Sequence, residues 1–230
     1  MEFSQFVLVA LTGLVLGLEH ALEPDHLVAV SVFTSERKDL KAATWLGMSW
    51  GLGHTATLLI VGGGALLLNV TIPDNLAASM ELLVGLLLVG LGIRVLVQLS
   101  RGKLHHHEHG HDDGSTHEHL HPHGETKSHE HLHRSTRQAF FVGLLHGGAG
   151  SAAAVLLVAT MVSSVWEGIF LILLFGVGSI GGMMLVSLLL GVTSQYMDRI
   201  PNWQRGLNMK AGTISIVLGL SIVLDFFEGM

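Results

Sequence analysis

The chain contains no cysteine. That excludes disulfides, thiolate metal sites and thiol-relay chemistry inside a membrane. Charge is also scarce: Asp, Glu, Lys and Arg make up 13% of the 230 residues, against 49% hydrophobic, and mean hydropathy is +0.55. Residues 42–68, 138–166 and 168–197 carry none of the four. There is no basic stripe, and a net charge of −6 gives nucleic acid nothing to hold. Proline occurs only four times, so a proline inside an apolar run stands out.

What is present is apolar length. About 20 apolar residues cross a bilayer, and six stretches are of that order: 5–32, 42–68, 76–99, 138–166, 168–197 and 206–224. The last carries Lys210 near its start, where a long side chain snorkels to the interface. The expectation is an all-α integral membrane protein with six transmembrane helices. The opening "MEFSQ" has no Lys or Arg, and its apolar run enters His20 rather than a small-residue cleavage site, so it reads as a first span, not a signal peptide.

Lys and Arg set the orientation. They occupy the first junction (Arg37, Lys38, Lys41), the third (Arg101, Lys103, Lys127, Arg134, Arg137) and the fifth (Arg199, Arg205, Lys210), and are missing from the second and fourth. The alternation predicts a multi-pass protein of the cell membrane, with these three loops cytoplasmic and both termini outside.

The chain divides into a three-helix half at 1–100, a His-rich cytoplasmic loop at 101–136 expected to be disordered, and a second three-helix half at 137–230. The halves are faintly alike. "GLEH" at 17–20 matches "GLLH" at 143–146; "WGLGHTATLL" at 50–59 resembles "FGVGSIGGMM" at 175–184, with Ser179 in the place of His54; "LLLVGLGI" at 86–93 resembles "SIVLGLSI" at 215–222. Three spans per half give the second half the opposite orientation, the inverted repeat of transporters. Chance alignment of Gly- and Leu-rich helices is the alternative. The pairs Gly13/Gly17, Gly47/Gly51, Gly143/Gly147 and Gly178/Gly182 have the small-xxx-small spacing that lets helix backbones approach.

Sixteen histidines fall into two groups. Twelve crowd the loop: His105, His106, His107, His109, His111, His117, His119, His121, His123, His129, His131 and His133. Three matches to H-E-x-x-H lie among them, but Gly110, Gly114, Pro122 and Gly124 interrupt the rigid helix that a zinc peptidase requires. A string of mobile imidazoles chelates borderline divalent metals weakly, as an auxiliary; a plain solvated linker is the other reading.

The remaining four, His20, His26, His54 and His146, lie within spans. The stretch "HALEPDH" at 20–26 sets two histidines, Glu23 and Asp25 around Pro24, with Glu19 just before it. On a straight helix His20, Asp25 and His26 point in different directions. Pro24 cannot donate to the carbonyl of His20 and its ring clashes there, so the first helix should break at that point. A broken span can turn the three toward one centre, its freed carbonyls facing the site, as a mixed N/O site for a divalent first-row metal. In the competing account Pro24 ends the span and the charges sit at the interface. His54 lies mid-span, where an ionisable group normally faces a functional interior, as a ligand or a residue holding one. His146 reads equally as a gate related by the repeat, a support for the ligands or a packing residue.

At H-x4-D-H, His20 to His26, followed by "LGLGHTAT" around His54, the chain resembles the nickel/cobalt transporter superfamily. It is most similar to the short six-span urease-accessory permeases and their efflux relatives. The resemblance implies transport of Ni²⁺ or Co²⁺ as substrate, through a site of His20, Asp25, His26 and His54, with Glu19, Glu23 and His146 as weaker candidates. It also implies cytosolic nickel chaperones or urease maturation proteins as partners, and neither enzymatic activity nor a catalytic cofactor. The eight-span members' later acidic motif has no counterpart here. Uptake gains from the membrane potential, so import is the expected direction; efflux is the rival, and a membrane-anchored metal sensor or metallochaperone is the non-transport alternative.

Overall fold

The computed structural model describes residues 3–34, 39–101, 105–110, 116–121, 130–149, 162, 164–197, 200 and 203–229. The helices are α1 (Phe3–His20), α2 (Pro24–Thr34), α3 (Leu40–Thr57), α4 (Gly64–Leu68), α5 (Asp74–Ser100), α6 (Glu130–Ala149), α7 (Val165–Met197) and α8 (Trp203–Glu228). A π-helical turn, Leu58–Gly63, joins α3 to α4, so Leu40–Leu68 runs as one span. It ends at Asn69, whose φ of 51° is tolerated by the short amide side chain. This is an all-α membrane protein.

Among the described residues four helices are long and apolar enough to cross a membrane, and the α1–α2 pair, bent by 56°, makes a fifth span. The sixth expected span, 138–166, is represented by α6; residues 150–161 and 163 lie outside the described residues. In the His-rich segment, where disorder is expected, β1 (His105–Gly110) and β2 (Thr116–His121) pair antiparallel.

The chain breaks where Pro24 demands it. His20 and Glu19 lose their helical acceptor roles but not their partners: Glu23 N donates to the His20 carbonyl (3.1 Å) and Leu22 N to that of Glu19 (2.9 Å). The carbonyls expected to be freed toward the site are therefore spent on a tight turn. Pro24 then takes the first position of α2, where its missing N–H costs nothing.

Glycines decide which helices meet. A Cβ on Gly17 would overlap the carbonyl oxygen of Phe175, and one on Gly178 that of Leu14, so α1 and α7 lie backbone to backbone. Gly143 stands in the same relation to Trp50, and Gly53 to Phe140, which joins α6 to α3. These are reciprocal contacts: the residues matched between the halves in the sequence, Gly17 with Gly143 and Trp50 with Phe175, trade places. Over their length numbering rises together along both pairs, from Gly13–Leu171 to Ala21–Gly182 and from Ser49–Thr136 to Thr57–Leu144, so α1 runs with α7 and α3 with α6. Gly47 meets Met183 and Gly51 meets Ile180, so α3 and α7 are antiparallel. Helix α6 thus enters opposite to α1, as an inverted second half requires.

The third helices pair likewise, Gly85 against Gly219 and Gly92 against Gly212. In this pair the reciprocal glycines (Gly85 with Gly212, Gly92 with Gly219) are offset by 127 residues. The sequence alignment of 86–93 with 215–222 is therefore two residues out of register, because Leu/Val runs slide against each other without penalty. Hydroxyls cross the interfaces: Ser49 to the Thr136 carbonyl (2.9 Å), Thr57 to Leu144 (2.8 Å) and Ser215 to Leu88 (2.7 Å). The core is centred on Leu46, Trp50, Leu88 and Met183, while Leu11, Ile60, Val217 and Leu224 stay exposed, as lipid-facing side chains do.

Candidate metal centre

Pro24 lies at the middle of the bundle, not at its edge. Ala21 packs on Gly182, near the centre of α7, and α3 begins with Leu40 beside Gly191, further along the same helix. Between these points α2 carries the chain onward, with Ala29 and Val30 fully buried. Span 1 is a broken span, and the interfacial reading of Pro24 is set aside.

The bend brings together four histidines from α1, α2, α3 and α6. Nε2 of His20 is 3.1 Å from Nε2 of His54. The ring of His26 lies 4.4 Å from that of His20, 5.3 Å from His54 and 4.2 Å from His146, centre to centre. Asp25 bridges His26 and His146: Oδ1 is 3.1 Å from Nδ1 of His26 and also accepts its backbone N–H (2.9 Å), while Oδ2 is 2.8 Å from Nε2 of His146. His26, His54 and His146 are buried to 2% exposure or less.

Among the described residues two three-residue sets have ligand atoms within 4.8 Å of one another: His20, His26 and His54, and Asp25, His26 and His146. His26 belongs to both. Nε2 of His26, Nδ1 of His54 and Nδ1 of His146 have no hydrogen-bond partner among the described residues. Unpaired buried imidazole nitrogens are costly in an apolar interior unless a ligand takes them. Nitrogen and carboxylate donors without thiolate suit a divalent first-row metal.

Thr55 and Thr57 do not compensate His54; their hydroxyls go to the Gly176 and Leu144 carbonyls. Trp50 and Phe175, matched between the two halves in the sequence, border the site, 5.7 Å from the His146 ring and 5.3 Å from that of His20.

Of the weaker sequence candidates, His146 is the one drawn into a ligand set, by Asp25. Glu23 holds Nδ1 of His20 at 3.1 Å. Glu19 is exposed and joins neither set. Of the loop histidines, the hairpin register pairs His105 with His121, His107 with His119 and His109 with His117; His106 also lies on β1, and His131 and His133 lie in the first turn of α6. His111, His123 and His129 lie outside the described residues. Beside the buried histidines is a cavity of about 250 Å³, bordered by His20, Asp25, His26 and His146. It is also bordered by Glu81 and Asp225, which the sequence reading missed: each is a single carboxylate near a span end, with no motif around it.

Residues 27–221 match the family model described as the cytochrome c biogenesis protein transmembrane region. The urease accessory protein UreH of Bacillus sp. (strain TB-90) is 35% identical over 234 residues, covering 100% of this chain and 97% of UreH. A Methanocaldococcus jannaschii protein whose name assigns it to nickel/cobalt efflux is 33% identical over 110 residues, 45% of this chain and 48% of that one. The Arabidopsis thaliana chloroplast protein FOR GROWTH AND FERTILITY 2 is 28% identical over 230 residues, 96% of this chain and 57% of that one. No solved structure matches. The chain therefore belongs to the family of the cytochrome c biogenesis protein transmembrane region, and over its whole length it is a relative of the urease accessory protein UreH.

Proposed function

We propose that the protein carries Ni²⁺, or Co²⁺, into the cytoplasm through the buried histidine–aspartate centre. The observation that supports this most is the pair of overlapping ligand sets sharing His26, held at the break of a span. Two sets with one common member offer an ion successive positions. It exchanges part of its coordination at a time instead of shedding all of it. Rocking of α1 with α7 against α6 with α3 would expose the centre to either side.

The potential favours entry. Each charge gains about 2.3 kcal/mol per 100 mV, hence about 4.6 kcal/mol for a divalent ion. Purified protein in liposomes loaded with a nickel-sensitive dye should take up Ni²⁺ faster when the potential is negative on the cytoplasmic side. Flux that ignores the potential, or no flux, rejects the proposal. Efflux is the second reading, favoured by the name of the M. jannaschii relative. It predicts that flux out of the cytoplasmic compartment requires an added ion gradient.

The loop histidines are read as auxiliary, holding arriving metal on the inner side. Replacing 105–133 with a short Gly/Ser linker should leave maximal Ni²⁺ flux within about twofold, since such linkers close at little entropic cost. His54→Ala should abolish flux at saturating Ni²⁺. The reverse pattern would make the loop the working module and the spans its anchor, as in a sensor or metallochaperone.

A further inference from the structure

The cavity beside the histidines reaches residues that the transport site itself does not use. Glu23, Glu81 and Asp225 border it together with Asp25, and no Lys or Arg does so among the described residues. Glu81 and Asp225 come from antiparallel helices that cross at Gly85 and Gly219. Glu81 precedes the crossing on α5 and Asp225 follows it on α8, so both carboxylates lie at the same end of the pair. Met80 ties that end to the metal centre: its Sδ fills the space beside Gly148, two residues beyond His146. Glu81 and Asp225 are exposed and form no ion pair among the described residues. At the inner wall of the same cavity stands His26, 1% exposed, with Nε2 unpartnered.

We propose that Glu81 and Asp225, with Glu23, form a carboxylate vestibule that captures the hydrated divalent cation and passes it to His26 and His146. This rests on the transport reading above. Four carboxylates around a cavity with low-dielectric walls concentrate cations at its mouth. Carboxylate oxygens hold a divalent ion that keeps its water, whereas imidazole nitrogens take a first-row metal as that water leaves. The order along the cavity, exposed carboxylates outside and buried imidazoles within, is the order in which dehydration must occur. The vestibule sits where α5 begins and α8 ends, which the Lys/Arg pattern assigns to the outer face.

The test is the double variant Glu81→Gln/Asp225→Asn in liposomes, with initial Ni²⁺ flux measured against metal concentration at low and high ionic strength. At low salt the half-saturating concentration should rise roughly tenfold, with maximal flux within about twofold of the parent protein. High salt should raise the parent's value toward that of the variant and leave the variant's unchanged. An unchanged half-saturating concentration and salt response overturns the vestibule, as does a fall in maximal flux alone. The single variants, each expected to shift the value about threefold, carry the test if the double variant fails to insert. Should the parent protein move no Ni²⁺, the transport reading fails by itself. Stopped-flow binding of Ni²⁺ to the detergent-purified proteins then decides the vestibule: slower, salt-insensitive association in the double variant supports it, and identical association rates refute it.

Discussion

His26→Ala is expected to eliminate Ni²⁺ flux at every metal concentration while the protein still inserts and elutes as the parent does. His26 is common to both ligand sets, so its loss leaves each with two donors. Partners that merely orient a metal ligand usually contribute about 10–100-fold in affinity; losing a ligand from both sets should exceed that range. His20→Ala and His146→Ala each spare one set, and purified protein carrying either should still bind Ni²⁺ measurably by calorimetry while transport fails. Asp25→Ala should act more severely than His146→Ala, because Asp25 contacts both His26 and His146. Parent-level flux in the His26 variant at limiting Ni²⁺ would remove His26 from the pathway and leave the two sets without a common member.

The second large effect should come from a methyl group. Gly17→Ala places a Cβ on the Phe175 carbonyl oxygen, and Gly143→Ala places one on that of Trp50. The obstacle is backbone in both cases, so no rotamer change relieves it and the helices must part. Overpacking of this kind costs about 1–3 kcal/mol, and the upper end is expected, lowering the unfolding midpoint by roughly 5–10 °C. Gly90→Ala is the control. Nothing lies within 4 Å of its added Cβ, and alanine's higher helix propensity makes the change neutral or slightly stabilising. Gly17 precedes His20 by less than one turn, so its variant should also lose Ni²⁺ flux as His20 moves away from His54. A Gly17→Ala protein with parent stability and flux would contradict the close packing of α1 on α7.

The convergence of residues at the candidate metal centre was legible in part. A histidine in a chargeless span is expensive enough that composition alone marks His54 as a candidate site residue. Pro24 announces a break because its chemistry is local: a missing donor and a ring clash. Neither signal tells whether the break lies at midplane or at the surface. That follows from Ala21 meeting Gly182, a contact between residues far apart in the chain. His146 was ambiguous for the same reason. Its neighbours in sequence are glycine and leucine, and its partner, Asp25, is 121 residues away.

By itself the sequence determined the membrane class, the absence of thiol chemistry, the broken first span and three of the histidines that converge, since each depends on the hydropathy or covalent chemistry of a short stretch. The small-xxx-small pairs also marked helix contacts correctly, because only glycine permits such approach. Tertiary structure alone decided which helices those glycines join, the two-residue correction in register between α5 and α8, and the recruitment of His146 through Asp25. It also brought Glu81 and Asp225 to one cavity. These depend on which side chains from distant segments share a volume, and in a lipid-facing bundle of nearly uniform Leu, Val and Gly, shape complementarity between whole helices sets that.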